Sequence, residues 1–195
     1  MAWAAVGHLP DPQICPPERQ VCLADVPLQG CPPWLGVDRA LAGWGAWEDV
    51  GDSVLVVDAG TVMTLTRVDA GGTFRGGRLQ AGLRLQLEAM AAGTALLPNL
   101  ADSPPPSSTA GETDADDPDW PRGTAGAMRV GVATGLAAAV IEAAKVAGSR
   151  WVVLTGGDCQ VVHPLIAPAV ALLGLSIACR PLLCLESLAR LRPEP

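Results

Sequence analysis

The stretch "VLVVDAGTVMTLTRV", residues 54–68, places Asp58, Gly60 and Thr61 directly after four apolar residues. It reads in two ways. As a plain hairpin, Asp58 and Gly60 are ordinary turn residues between two β-branched runs. As a functional turn, Gly60 lets the backbone approach a phosphate, Thr61 offers a hydroxyl and an N–H, and Asp58 holds a cation. Four more turns set small residues past the ends of regular elements: "GVDR" at 36–39, "GGRLQAG" at 76–82, "RGTAGA" at 122–127 and "LTGGD" at 154–158. Backbone N–H groups in glycine-rich turns and at helix N-termini bind anions without needing a lysine. That suits a chain with a single lysine, Lys145, among 13 basic residues. One such turn carries little weight; five in this order point to a phosphate-binding cleft.

Composition narrows the classes. With 195 residues and 49% apolar side chains the chain can bury a substantial core. A formal charge of −7 argues against a general nucleic-acid binder, which needs clustered Lys and Arg. The six cysteines include no C-x-x-C pair, and the two histidines, His8 and His163, lack ligand spacing, so a zinc site is not expected. Reduced cysteines in a cytoplasmic protein are the simplest reading. The opening "MAWAAVGHLPDPQ" has no basic n-region before a long apolar stretch and so is not a secretory signal. The uncharged run from Cys159 to Cys179 is broken by Pro164 and Pro168 and falls short of the roughly 20 apolar residues a spanning helix needs. A soluble protein with no membrane partner is expected.

Periodicity supplies the elements that must hold the turns. Residues 1–35 show little pattern beyond a short strand expected in "QVCLADVPL". A helix is expected over Ala40 to Trp47 despite two glycines, followed by the hairpin at 54–68. A third strand at 73–76 runs into a glycine-rich bend, and "LRLQLEAMAAGTALLP" predicts a helix burying Leu83, Leu87, Met90 and Leu96. Residues 102–121, dense in Pro, Ser, Asp and Gly, predict a mobile acidic loop. Beyond it come a long small-residue helix from "GTAGAM", the strand "WVVLTGG", the helix "VVHPLIAPAVALLG", the strand "LSIAC" and a terminal helix "CLESLARL". Hairpin strands followed by alternating helices and strands make an α/β layered domain with a mixed sheet.

The order and content of "LGVDRALAGWGAW", "LVVDAGTVMTLTRVDAGGTFRGGRLQAG", "AMAAGTALLP", "GTAGAMRVGVATG" and "VVLTGGD" resemble the type III pantothenate kinase family, in the superfamily of acetate and sugar kinases, the Hsp70 ATPase and actin. The resemblance runs from about residue 34 to the C-terminus. It implies a two-domain, RNase-H-like (actin-like ATPase) fold with mixed sheets, transfer of the ATP γ-phosphoryl group to pantothenate at the start of coenzyme A synthesis, and a homodimer with its active site near the interface. It also implies a need for Mg²⁺ and for K⁺ or NH₄⁺. Carried across, Asp38 is the general base on the pantothenate hydroxyl, within a substrate-binding segment of Gly36, Val37 and Arg39. Asp58 ligates the monovalent cation. Thr61, beside Gly60, contacts ATP; Thr124 contacts pantothenate; Gly156 and Gly157 lie against the adenosine. Two plainer readings stand beside these: Asp38 and Arg39 form a surface ion pair, and Thr124 only caps the helix that follows it.

The family opens with a strand carrying D-x-G-N-T, and residues before Trp34 contain no such run. Ala81 also stands where the family usually has proline. The expected organisation is therefore a truncated first domain, residues 1–50 being its remnant, followed by a C-terminal RNase-H-like domain over residues 51–195. Either the start was assigned at an internal methionine or this is a short form. A short form would have weakened or absent kinase activity, and the alternatives to the kinase reading are a non-catalytic regulator like the Bvg accessory factor, or a nucleotide-binding module without phosphoryl transfer.

Overall fold

A computed structural model describes residues 2–5, 15, 17–101 and 117–191, so the loop expected at 102–121 falls outside the described residues as far as 116. Strand β1 (Val54–Ala59) and strand β2 (Val62–Val68) form the expected hairpin, with Val54 opposite Val68 and Ala59 opposite Met63, joined by Gly60 and Thr61. Strand β3 (Phe74–Ala81) adds to β2, while β4 (Trp151–Thr155) and β5 (Ser176–Cys179) extend the other side in parallel with β1. The order is β3-β2-β1-β4-β5, and β2 alone runs against the rest. These are the order and directions of the RNase-H-like sheet that the resemblance implied. The sheet is the only named one among the described residues.

β1 is central, and its alternation splits the core in two. Val54 and Val56 point to one face, where they pack with α1 (Val37–Val50) and α5 (Leu183–Arg190). Leu55, Val57 and Ala59 point to the other, against α2 (Leu83–Ala92), α3 (Thr124–Ala147) and α4 (Cys159–Leu172). A period of two then sends the side chain of Asp58 to the α1/α5 face.

The two glycines of α1 have a packing role. A Cβ on Gly45 would overlap Ser187 Oγ of α5, and one on Gly43 would press on Leu28 and Val68 at 3.2 and 3.3 Å. The small residues let α1 lie close against both the sheet and α5, which outweighs their low helix propensity.

Four expectations need correction. "QVCLADVPL" forms no strand: the Asp25 carboxylate accepts the Cys22 N–H at 2.7 Å and closes a short 3₁₀ turn, Leu23–Asp25. The supposed bend at 76–82 is mostly strand, because β3 absorbs an extra residue as a bulge and continues to Ala81. Helix α2 ends at Ala92, before Gly93, which leaves Leu96 93% exposed instead of buried. Helix α1 also runs further than expected in both directions, from Val37 to Val50. By length and composition α3 would be able to cross a membrane; here it packs on the sheet through Met128, Val132, Leu136 and Val140.

Candidate functional site

Asp38 lies in the first turn of α1, and its carboxylate folds back over Gly36, where a Cβ would stand 2.4 Å from Asp38 Oδ1. That oxygen accepts the Arg39 N–H at 2.8 Å. Asp58, half-buried near the end of β1, has a perturbed carboxyl. Burial raises its pKa first, and the negative charge of Asp38 raises it further. The N-terminus of α5 adds Cys184, whose thiol donates weakly to the Asp38 carbonyl at 3.8 Å. Burial, then the charges of Asp38 and Asp58, push that thiol up to about 11. The charge of Asp38 in α1 thus reaches both Asp58, near the C-terminal end of β1, and Cys184 in α5, at the end of the sheet where α/β proteins place their ligands.

The turns pack as tightly as their glycines allow. Gly156, following β4, adopts φ +86°, and a Cβ there would meet Asp58 Oδ1 at 2.4 Å and the Ala59 carbonyl oxygen at 2.8 Å. Gly82, at the start of α2, donates its N–H to the Thr61 carbonyl at 2.9 Å and has no room for a side chain against Gly60. The turn at 58–61 thus meets Gly82 and Gly156, whereas Gly76 and Gly77 lie within β3 away from it, and the charge of Asp38 in "GVDR" acts on Asp58.

Arg39 takes a course of its own. Its Nε donates to Thr66 Oγ1 at 3.3 Å, and its guanidinium lies 5.8 Å from the Phe74 ring centroid and against Gly77. Burial lowers its pKa, opposed by Asp38. The surface ion pair between Asp38 and Arg39 does not form among the described residues; the side chain crosses β2 and β3 instead. Val37 is buried in the core on the α1 face of the sheet.

On the opposite face of the sheet a cavity of about 730 Å³ opens beside the same turns. Gly60, Thr61, Gly157 and Asp158 form its polar rim, and Leu87 and Leu165 belong to its apolar wall. Asp158 occupies the N-cap of α4 without bonding that helix through its side chain, and burial raises its pKa. Thr124 is exposed at the start of α3, and further along that helix Arg129 and Val130 line the cavity. The N-cap of α3 is Gly123 and no side-chain cap bond forms, so capping does not explain Thr124.

Residues 26–145 match the family profile for type III pantothenate kinase. The chain belongs to the type III pantothenate kinase family. It is 39% identical over 171 residues to the type III pantothenate kinase of Synechococcus sp. (strain JA-2-3B'a(2-13)), covering 85% of this chain and 64% of that protein. It is 38% identical over 171 residues to that of Gloeobacter violaceus (strain ATCC 29082 / PCC 7421), covering 84% and 69%. Among solved structures it is similar to the activator of the 2-hydroxyisocaproyl-CoA dehydratase from Clostridium difficile with bound ADPNP, at 14% identity, a TM-score of 0.47, and 79% and 66% coverage. The chain spans 64% and 66% of the length of the first two Synechococcus relatives.

Two residues of this family member were not assigned roles from sequence. Asp158 sits inside the quoted "LTGGD", and its type and place past a strand were a readable signal. Cys184 gave none, because only the packing of α5 against α1 brings it to Asp38.

Proposed function

We propose that this chain carries the phosphoryl-transfer site of a type III pantothenate kinase, which phosphorylates pantothenate to 4'-phosphopantothenate using ATP in the cytoplasm. The observation that supports the reading is the tight packing of Gly82 and Gly156 on the Asp58–Thr61 turn, with the like charge of Asp38 acting on Asp58. In this reading Asp38 accepts the proton of the pantothenate hydroxyl as its oxygen attacks the γ-phosphorus, and ADP departs. Gly36, Val37, Arg39 and Thr124 bind pantothenate; Gly60, Thr61, Gly156 and Gly157 bind the nucleotide. Such a reaction asks chiefly for positioning and neutralisation of charge.

The donor set fits cations held jointly with a nucleotide. Among the described residues no three His, Cys, Asp or Glu side chains cluster as a metal site. Asp58 supplies one carboxylate, and Asp38 adds negative charge beside it. Mg²⁺ is commonly held by one or two carboxylates with phosphate oxygens and water. We assign Asp58 to a monovalent cation, K⁺ or NH₄⁺, with Mg²⁺ arriving on ATP. When bound, these cations neutralise the phosphate charge. The proposed assembly is a homodimer whose subunits each carry residues 51–195 as the C-terminal domain, with residues 1–50 as the remnant of the N-terminal one, of which α1 packs on the C-terminal sheet.

The test is formation of ATP- and pantothenate-dependent product in the presence of Mg²⁺ and K⁺, for the chain as written and for its in-frame extension upstream. Product from either supports the reading, and none from both removes it. Calorimetry with pantothenate alone separates a kinase from a bare nucleotide module, which would bind ATP and ignore pantothenate.

A further inference from the structure

At the other end of the sheet, three of the 13 basic side chains line one small cavity of about 190 Å³: Arg67, Arg75 and Arg78. Its location separates it from the site above. Arg67 pairs with Leu55, three residues from Asp58 along β1, or roughly 10 Å at strand rise. It also faces α3, whereas Asp58 faces α1 and α5.

The arrangement depends on a bulge. Residues three apart on a strand, such as 75 and 78, ordinarily point to opposite faces. Here the register shifts between Thr66 and Val68: Thr66 lies opposite Gly77 and Val68 opposite Phe74, so Arg75 and Gly76 together face Arg67. Gly76 takes φ +97°, a conformation that side chains rarely adopt. The bulge turns both arginines into the cavity with Arg67.

Nothing negative fills it. Asp69 pairs with Arg75 at 2.6 Å, but no carboxylate lies within 4.0 Å of Arg67 or Arg78 among the described residues. The cavity floor is apolar, made by Leu55, Leu65 and the last turns of α3 at Ala143 and Ala147. Guanidinium forks match phosphate oxygens two at a time. The apolar floor suits a short hydrocarbon attached to such a head group.

We propose that Arg67, Arg75 and Arg78 form a binding site for a small organic phosphomonoester, its phosphate on the guanidinium groups and its carbon chain on the Leu55–Leu65 floor. The full chain is treated with phenylglyoxal, with and without butyl phosphate or inorganic phosphate, and modified arginines are mapped by mass spectrometry. Severalfold protection of Arg67 and Arg78, none of Arg150, and protection by butyl phosphate at lower concentration than by inorganic phosphate are expected. In calorimetry the R67Q/R78Q variant should bind butyl phosphate about tenfold more weakly, in keeping with the loss of charge-assisted bonds. Equal modification with and without either anion overturns the site. Protection by inorganic phosphate at the same or lower concentration overturns the organic ligand. Loss of self-association in R67Q/R78Q without any protection would instead assign the arginines to a contact with a second copy, and so reject the proposal. If the double variant misfolds, the protection pattern of the unmodified chain decides.

Discussion

Asp58, near the end of β1, has its pKa raised first by burial and then by the negative charge of Asp38 at the start of α1. These residues are 20 positions apart in sequence and belong to different elements, yet the charge of one bears on the protonation of the other. Like charges brought together at the mouth of a sheet are costly unless a cation or a proton relieves them. Active sites retain such costs because ligands repay them.

The first prediction concerns stability. A carboxyl whose folded pKa is raised contributes stability that is present below its unfolded value, about 4, and lost as pH rises through its folded value. Ionised Asp58 therefore opposes folding at neutral pH. In cation-free buffer, Asp58→Asn should raise the Tm at pH 7 by a few °C, roughly what 1 kcal/mol gives in a chain of this size. The difference should shrink towards zero as pH falls below about 4. Melting curves by circular dichroism across that range check it, and a lower Tm for the variant at pH 7 would contradict the electrostatic account.

The second concerns the proposed base. Asp38→Asn keeps the shape of the side chain and its bond from the Arg39 N–H while removing the charge. Turnover in an active form of the chain should fall by about 10²–10⁴, the range for loss of a general base. Pantothenate affinity, read by calorimetry, should change little. Undiminished turnover would reject Asp38 as the base.

The third sets two adjacent glycines against each other. Gly156 has φ +86° and no room for a Cβ beside Asp58 and Ala59, so Gly156→Ala should destabilise the fold by about 1–3 kcal/mol. Gly157 meets nothing within 4 Å and borders the large cavity. Gly157→Ala should melt near the parent temperature yet weaken nucleotide binding, if adenosine lies there. Urea titration and nucleotide calorimetry on both variants would show the split. Equal effects on stability would mean that Gly156 has room it does not show.

Much of this was readable in the chain. The hairpin, β4, β5 and the long α3 follow from runs of β-branched residues and small apolar periodicity, signals that are local in sequence and clearest in β1 and β4, whose residues are mostly buried. The convergence of "GVDR", "DAGT" and "LTGGD" was legible because glycine and aspartate at strand ends have few other uses. What failed was set by contacts distant in sequence. Gly76 and Gly77 read as a bend, but pairing with β2 holds them in β3 as a bulge. The plainer alternative for Arg39, an ion pair with its neighbour Asp38, fails because Thr66 and Phe74 draw the side chain across the sheet. Gly43 and Gly45 read as weaknesses in a helix, when they are what allows α1 to approach α5 and the sheet.

The last prediction follows from that same helix crossing. Cys184 rides on α5 to the Asp38 carbonyl, where burial and two carboxylates hold its thiol at a pKa of about 11. The thiolate is the reactive form, so Cys184 should alkylate on the order of a hundredfold more slowly at pH 8 than an unhindered thiol. Its rate should climb as pH rises towards 11, unlike that of an ordinary cysteine, which levels off earlier. Cys184→Ser keeps a small neutral donor at this place and should preserve both fold and turnover. Cys184→Asp adds a third negative charge beside Asp38 and Asp58 and should lower stability and raise the pKa of Asp58 further. Iodoacetamide kinetics followed by peptide mass spectrometry test the thiol, and melting of the two variants tests the charge. Fast alkylation at pH 8, or an aspartate variant as stable as the serine one, would show that α5 does not bring Cys184 into the field of the two carboxylates.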